Sequence, residues 1–323
     1  MPSKGRVSKF WIYGGLITLA LLFPILITSG YWIHMLTIGM IYILLVASLD
    51  LLYGYTGLIT LGHGAFFGIG AYACGILQVK LGISFWPSLL ASIAITGVVA
   101  FLIGVPMLRI RGPYFALGTL AVAAIIQIII ANWESVTGGY TLYGIPKPSS
   151  WNLRAFTIDF GSKMVYYYLV LVFVAFTVFV VKRIANSRWG RAFIAIRENE
   201  ELAQATGVNL WGYKLLSFVI ASCLAAIGGS LYASYMGAIE PAISGFNMGF
   251  TVLAMTIIGG PTTLGGYVVG SFIVWVLPEF LGFAEIYRPL LYGLLLVLVM
   301  VFMPQWIIGR LKMLNPAIAR CIP

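Results

Sequence analysis

The sequence predicts an all-α, polytopic integral membrane protein, and three observations predict it. Only 9% of the 323 residues are charged while 61% are hydrophobic, where a soluble domain carries about 25% charged residues. Mean hydropathy is +1.01. Charge-free runs recur at 51–79, 81–108, 113–133, 164–181, 215–239, 241–278 and 289–309. A helix needs roughly 20 apolar residues to cross about 30 Å of hydrocarbon, so these runs read as spans. They lack the roughly 10-residue alternating segments of an outer-membrane barrel.

Taken in order, the spans are expected at about 10–29, 32–52, 58–78, 85–108, 113–132, 164–182, 213–236, 242–260, 264–282 and 286–305, in a single transmembrane domain over 1–323. Lys4, Arg6 and Lys9 precede the first, but no A-x-A cleavage site follows, so a retained helix is expected there. With the N-terminus inside, the inner segments hold 14 of the 19 basic residues, and only Lys80, Lys147, Arg154, Lys163 and Arg288 fall outside. This bias makes both termini and the 183–212 loop cytoplasmic. The outer loop 133–163 carries Trp133, Tyr140, Tyr143 and Trp151, and reads either as an anchored structural loop or as a docking surface. In the eighth span Gly245, Gly249, Gly259, Gly260 and Pro261 predict a broken or re-entrant helix, which charge parity still requires to cross. The pairs Gly64/Gly68, Gly245/Gly249 and Gly266/Gly270 have the spacing that lets helix backbones approach closely.

Several function classes are excluded. The net charge of +10 is accounted for by the cytoplasmic bias, without a nucleic-acid partner. Cys74, Cys223 and Cys321 have no metal or disulfide spacing. There is no GxxxxGK[ST], no HExxH and no CxxC, and His34 and His63 are too few for a histidine metal site, so neither metal nor cofactor is expected. Asp50, Glu240 and Glu279 fall near predicted span ends, leaving the midplane nearly free of charge. An ion-driven carrier would bury such groups there, so a pore powered from elsewhere fits better. A self-sufficient carrier remains the reading from a different class.

The segment "SRWGRAFIAIRENEELAQATGVNLWGYK" is the one strongly charged stretch between spans. Residues 188–196 mix Arg with Trp189, Phe193 and Ile196, as suits a membrane interface. Residues 199–206 predict a short helix with Asn199 as N-cap, Glu200 and Glu201 at the positive end of its dipole, and Gly207 to end it. So short a helix is marginal alone and needs a support. The small side chains of Ala203 and Thr206 suit a groove on a cytosolic partner, and a solvated loop helix is the alternative.

E-x-A-x-x-x-G, filled by Glu201, Ala203 and Gly207, resembles the coupling motif of bacterial ABC importer permeases; Leu202 replaces its first alanine, and no I-x-L-P follows. The stretches 49–77, 108–126, 137–145, 195–233 ("AIRENEELAQATGVNLWGYKLLSFVIASCLAAIGGSLYA") and 257–273 ("IIGGPTTLGGYVVGSFI") are similar, in order, to the M-type permease of high-affinity branched-chain amino acid ABC transporters. The resemblance implies an importer of hydrophobic amino acids in the bacterial inner membrane. It implies two ABC ATPase subunits, a second related permease subunit and a periplasmic substrate-binding protein as partners, with coupling through Glu201, Ala203 and Gly207. Urea or short-amide permeases of the same family are the alternative within that mechanism.

A translocation path or gate is assigned to His63 with Gly62 and Gly64, to Gln127, and to Gly265 and Gly266. "TLGHGAFFG" and "TLGGYVVG" echo each other as Gly-rich turns, and Gln127 is a rare polar residue inside a span. For His63 and Gln127 the competing reading is a hydrogen bond between packed helices.

Overall fold

The computed structural model describes residues 24, 29–110, 112–153 and 156–280. The expected spans 10–29 and 286–305, both termini and Cys321 lie outside them. The described chain is mostly helical. Helix α1, Gly30–Asp50, runs on into a π-helical turn, Leu51–Tyr55. Helix α2, His63–Leu81, ends at Gly82, whose φ of 63° is a left-handed value that glycine adopts without strain. Helix α3 is Phe85–Met107, and α4, Pro113–Asn132, starts on a proline whose missing N–H costs nothing at that position. Helix α5 is the single turn Glu134–Thr137. Helix α6 is Lys163–Ala185, α7 Arg188–Glu198 and α8 Glu200–Ala205. Helix α9, Leu210–Met236, is capped by Asn209, which accepts from the Gly212 N–H. Helices α10, Phe246–Gly259, and α11, Leu264–Phe280, close the described chain.

Six of these elements are long and apolar enough to cross a membrane: α1 with its π-turn, α2, α3, α4, α6 and α9. They match the expected spans at 32–52, 58–78, 85–108, 113–132, 164–182 and 213–236. The chain is a multi-pass membrane protein. The buried share of the most apolar stretch is 89% in α1, 72% in α9 and 61% in α2, but 33% in α3 and α6 and 22% in α4. The first three are therefore the centre of the bundle and the others its apolar rim. A rim of Leu90, Phe101, Leu117, Ile128 and Phe179 is stable against hydrocarbon, where apolar contact carries no penalty.

Small residues set the closest helix pair. Gly229 of α9 lies against the Phe67 carbonyl of α2, and Gly70 of α2 against Ala226 of α9, so that any Cβ at either glycine would strike backbone. The 133–163 loop is anchored. Its strand β1, Leu142–Tyr143, pairs antiparallel with β4, Ala238–Ile239, just after α9. The Ile145 N–H donates to the Gly237 carbonyl at 3.0 Å. Strands β2, Trp151–Leu153, and β3, Phe156–Ile158, form a separate antiparallel hairpin.

The expected eighth span, 242–260, is not one crossing helix. A 3₁₀ turn at Pro241–Ser244 and a break at Gly245 precede α10, whose 14 residues extend about 21 Å, short of the roughly 30 Å hydrocarbon layer. The physical reason is local. After β4 the chain dips along α2, where Ser244 fills the space over Gly68 and Gly245 that over Gly64. The uncharged run 241–278 thus looked long enough for two spans, while part of it is spent on a 3₁₀ turn and the glycine break, with Pro241, Ser244 and Gly245 buried.

Candidate functional site

Helices α7 and α8 form a platform at the end of the bundle where α6 stops and α9 begins. The Ser187 side chain caps α7, accepting from the Trp189 N–H at 3.1 Å, and Phe193 and Ile196 are buried beneath it. The Asn199 side chain caps α8 by accepting from the Leu202 N–H at 2.9 Å. The helix ends in a Schellman motif: Val208 N–H donates to the Ala203 carbonyl and Gly207 N–H to the Gln204 carbonyl, both at 3.0 Å. Gly207 has φ of 86° with open space around it, so its requirement is backbone geometry alone. The support that so short a helix needs is an ion pair from Glu200 to Lys214 of α9, at 2.6 Å, with Lys214 buried.

Ala203 is only 3% exposed, which corrects the expectation that it faces a partner. Its methyl seats α8 on the bundle instead. The outward face carries Glu201, Leu202, Gln204, Ala205 and Thr206, with Leu202 64% exposed. The sequence signal was present, since a leucine in a charged loop helix is either its anchor or its exposed contact. Deciding between them requires knowing which face α9 covers.

The platform grips the end of α1. Arg197 donates from Nη1 to the Gly54 carbonyl at 2.5 Å and pairs with Glu198 at 2.7 Å, and its stem lies over Gly57. At the last residue of α1, just before the π-turn, Asp50 folds its carboxylate over Gly54, where a Cβ would collide with it. Asp50 has no exposed surface. Its two oxygens accept from the Thr262 N–H at 2.9 and 3.0 Å, and Oδ2 also accepts from the Tyr267 hydroxyl at 2.6 Å. Charge-assisted bonds of this kind offset the cost of burying a carboxylate. Thr262 has φ of 63°, the only left-handed non-glycine among the described residues, and Asp50 holds it there. Sequence reasoning placed Asp50 near a span end and missed this role.

Of the residues expected to line a path or gate, Gly62 and His63 meet Thr119 and Ser48, while Gly64 and Gln127 meet the start of α10 and Gly266 its end. At its start, the Gly64 Cα faces Met248 and the Gly249 N–H, Gln127 packs its amide on Gly245, and Gly249 lies on the Leu61 carbonyl. Gly62 lies on the Thr119 carbonyl. His63 is fully buried, with Nε2 2.7 Å from the Ser48 hydroxyl, which itself donates to the Leu45 carbonyl. The other ring nitrogen of His63, Nδ1, is buried without a hydrogen-bond partner. At the other end, Gly266 packs on the Gly259 and Gly260 carbonyls, beside half-buried Gly265. The echoed turns differ in detail: Thr60 Oγ1 accepts from the Gly62 N–H two residues on, ahead of α2, whereas Thr263 Oγ1 accepts from the Gly266 N–H three residues on, at the start of α11. The three expected small-residue pairs are packing contacts: Gly64/Gly68 meets Ser244, Gly245 and Gly249, and Gly266/Gly270 meets Gly259. Among the described residues no three His, Cys, Asp or Glu side chains are placed to hold a metal ion.

Comparison with known proteins shows the family. Residues 31–303 match the family model described as branched-chain amino acid transport system / permease component. The chain is 32% identical over 320 residues to the high-affinity branched-chain amino acid transport system permease protein LivM of Escherichia coli, covering 93% of this chain and 74% of that one. It is 28% identical to LivH of Salmonella typhimurium over 85% of this chain and 93% of that one. Against BraD of Pseudomonas aeruginosa the identity is 26%, over 85% and 94%. No solved structure matches. The chain belongs to the branched-chain amino acid transport system permease family.

Proposed function

We propose that this chain is the transmembrane permease subunit of an ABC importer that carries branched-chain, hydrophobic amino acids across the bacterial inner membrane by alternating access. The observation that carries the reading is the family membership over 31–303, with each of the three named relatives a branched-chain amino acid permease. The proposed assembly holds a second related permease, two ATPases on the cytoplasmic side and a periplasmic binding protein. The proposed topology has ten crossings and cytoplasmic termini, supported by the basic-residue bias, with the eighth crossing made by the 3₁₀ turn at Pro241–Ser244, the break at Gly245 and α10 together.

In this reading the ATPases press on the exposed face of α8, around Glu201 and Leu202, which Gly207 and buried Ala203 hold in place. The Glu200–Lys214 pair delivers the displacement to α9, the helix packed along α2, and Arg197 delivers it to the π-turn. Asp50 passes it to the α10–α11 turn. Helix α10 then shifts against Gly62, His63, Gly64 and Gln127, where the 3₁₀ turn at Pro241–Ser244 and the break at Gly245 line the path. Non-helical backbone at membrane depth is tolerated where protein or a water-filled route covers it.

The test is uptake of radiolabelled leucine by proteoliposomes holding the full complex. Accumulation is expected to need ATP, to stop with vanadate and to survive a protonophore. Uptake driven by an ion gradient without the ATPases would overturn the reading, and so would an ATP-dependent system indifferent to leucine.

A further inference from the structure

We propose that the corner between α6 and α7 binds the headgroup phosphate of an anionic phospholipid. A concavity of about 510 Å³ opens there, lined by Arg183 at the end of α6, by Asn186 and Ser187 in the turn, and by Arg188, Trp189 and Arg191 of α7. No carboxylate lines it. Arg197 and Lys214 nearby are neutralised by Glu198 and Glu200, but Arg183, Arg188 and Arg191 have no ion pair among the described residues. Three guanidinium groups around one hollow repel each other until an anion enters. Their forked donors match the oxygens of a phosphate better than a single carboxylate does.

The choice of a lipid rests on what leads to the hollow. Val172, Phe176 and Phe179 are 65%, 50% and 65% exposed, and with exposed Arg183 they follow one another at helical spacing of four, three and four residues. They form one apolar stripe down α6 that ends at the first arginine. An acyl chain laid along the stripe puts its phosphate among the three arginines, with Trp189, 46% exposed, beside it at interface depth. Basic pockets between membrane helices bind anionic headgroups in this way. A soluble anion would have no use for the stripe, and an acidic protein segment would approach from water and not along α6.

The experiment is native mass spectrometry of the full complex in mild detergent, titrated with phosphatidylglycerol, phosphatidylcholine or inorganic phosphate. Phosphatidylglycerol should be retained roughly tenfold more tightly than phosphatidylcholine. The Arg183→Gln/Arg188→Gln/Arg191→Gln variant should lose that preference while keeping its phosphatidylcholine binding. An unchanged preference in this variant would overturn the site. Displacement of phosphatidylglycerol by millimolar inorganic phosphate would reassign it to a soluble anion. Loss of the ATPases with lipid binding intact would reassign it to an acidic partner. If the triple variant fails to assemble, Arg191→Gln alone should weaken phosphatidylglycerol roughly threefold, and no change there also overturns the proposal.

Discussion

Asp50 shows how much one side chain can join. It sits where α1 passes into the π-turn, yet its acceptors serve Thr262 and Tyr267 more than 200 positions away. Removing it strands the buried Tyr267 hydroxyl, at a cost of about 1–3 kcal/mol, leaves the half-buried Thr262 N–H without its acceptor, and frees a threonine from left-handed backbone. Asp50→Ala should therefore lower the thermal unfolding midpoint of the purified protein clearly and reduce transport with it. Asp50→Asn, which keeps one oxygen for Thr262, should lose less. An alanine variant that melts with the wild type would refute the anchoring role. None of this was legible beforehand, because a carboxylate near a span end reads as solvated until the chain that covers it is known. His63 was more legible, since the glycines around it already implied close packing, and it does bond Ser48 between helices.

At the scale of elements, α8 is the informative case. Its cap, its acidic first turn and its terminal glycine were all readable, because capping is local chemistry between residues a few positions apart. Its facing was not, because which side is covered depends on α7 and α9. With Leu202 outward, a cysteine placed there reports both orientation and docking. In Leu202→Cys, a membrane-impermeant maleimide should label inside-out vesicles stripped of ATPases, and rebinding the ATPases should suppress labelling several-fold. Labelling of intact cells, or no protection, would contradict the proposed placement. Helix α10 carries the complementary lesson. Its glycines announced a break, but the same glycines allow contacts tight enough to hold a short helix by both ends, and charge counting alone could not reveal its length.

For the whole molecule, composition and charge-free runs found the six long helices, because crossing hydrocarbon constrains length and polarity strongly. They did not rank the helices. That α1, α2 and α9 form the centre and α4 the rim depends on small-residue contacts spread over the chain. The layout puts the platform, the π-turn and both ends of α10 in one connected series, which in the proposed mechanism the ATPases drive from α8. Gly207→Val tests it most directly, since φ of 86° is strained for a β-branched residue while nothing nearby would clash. The measurement is leucine uptake by the reconstituted complex together with the amount of ATPase that copurifies. Normal membrane insertion of the permease is expected, with loss of copurifying ATPase and at least a roughly tenfold fall in uptake. Unchanged uptake with a full complement of ATPase would contradict it.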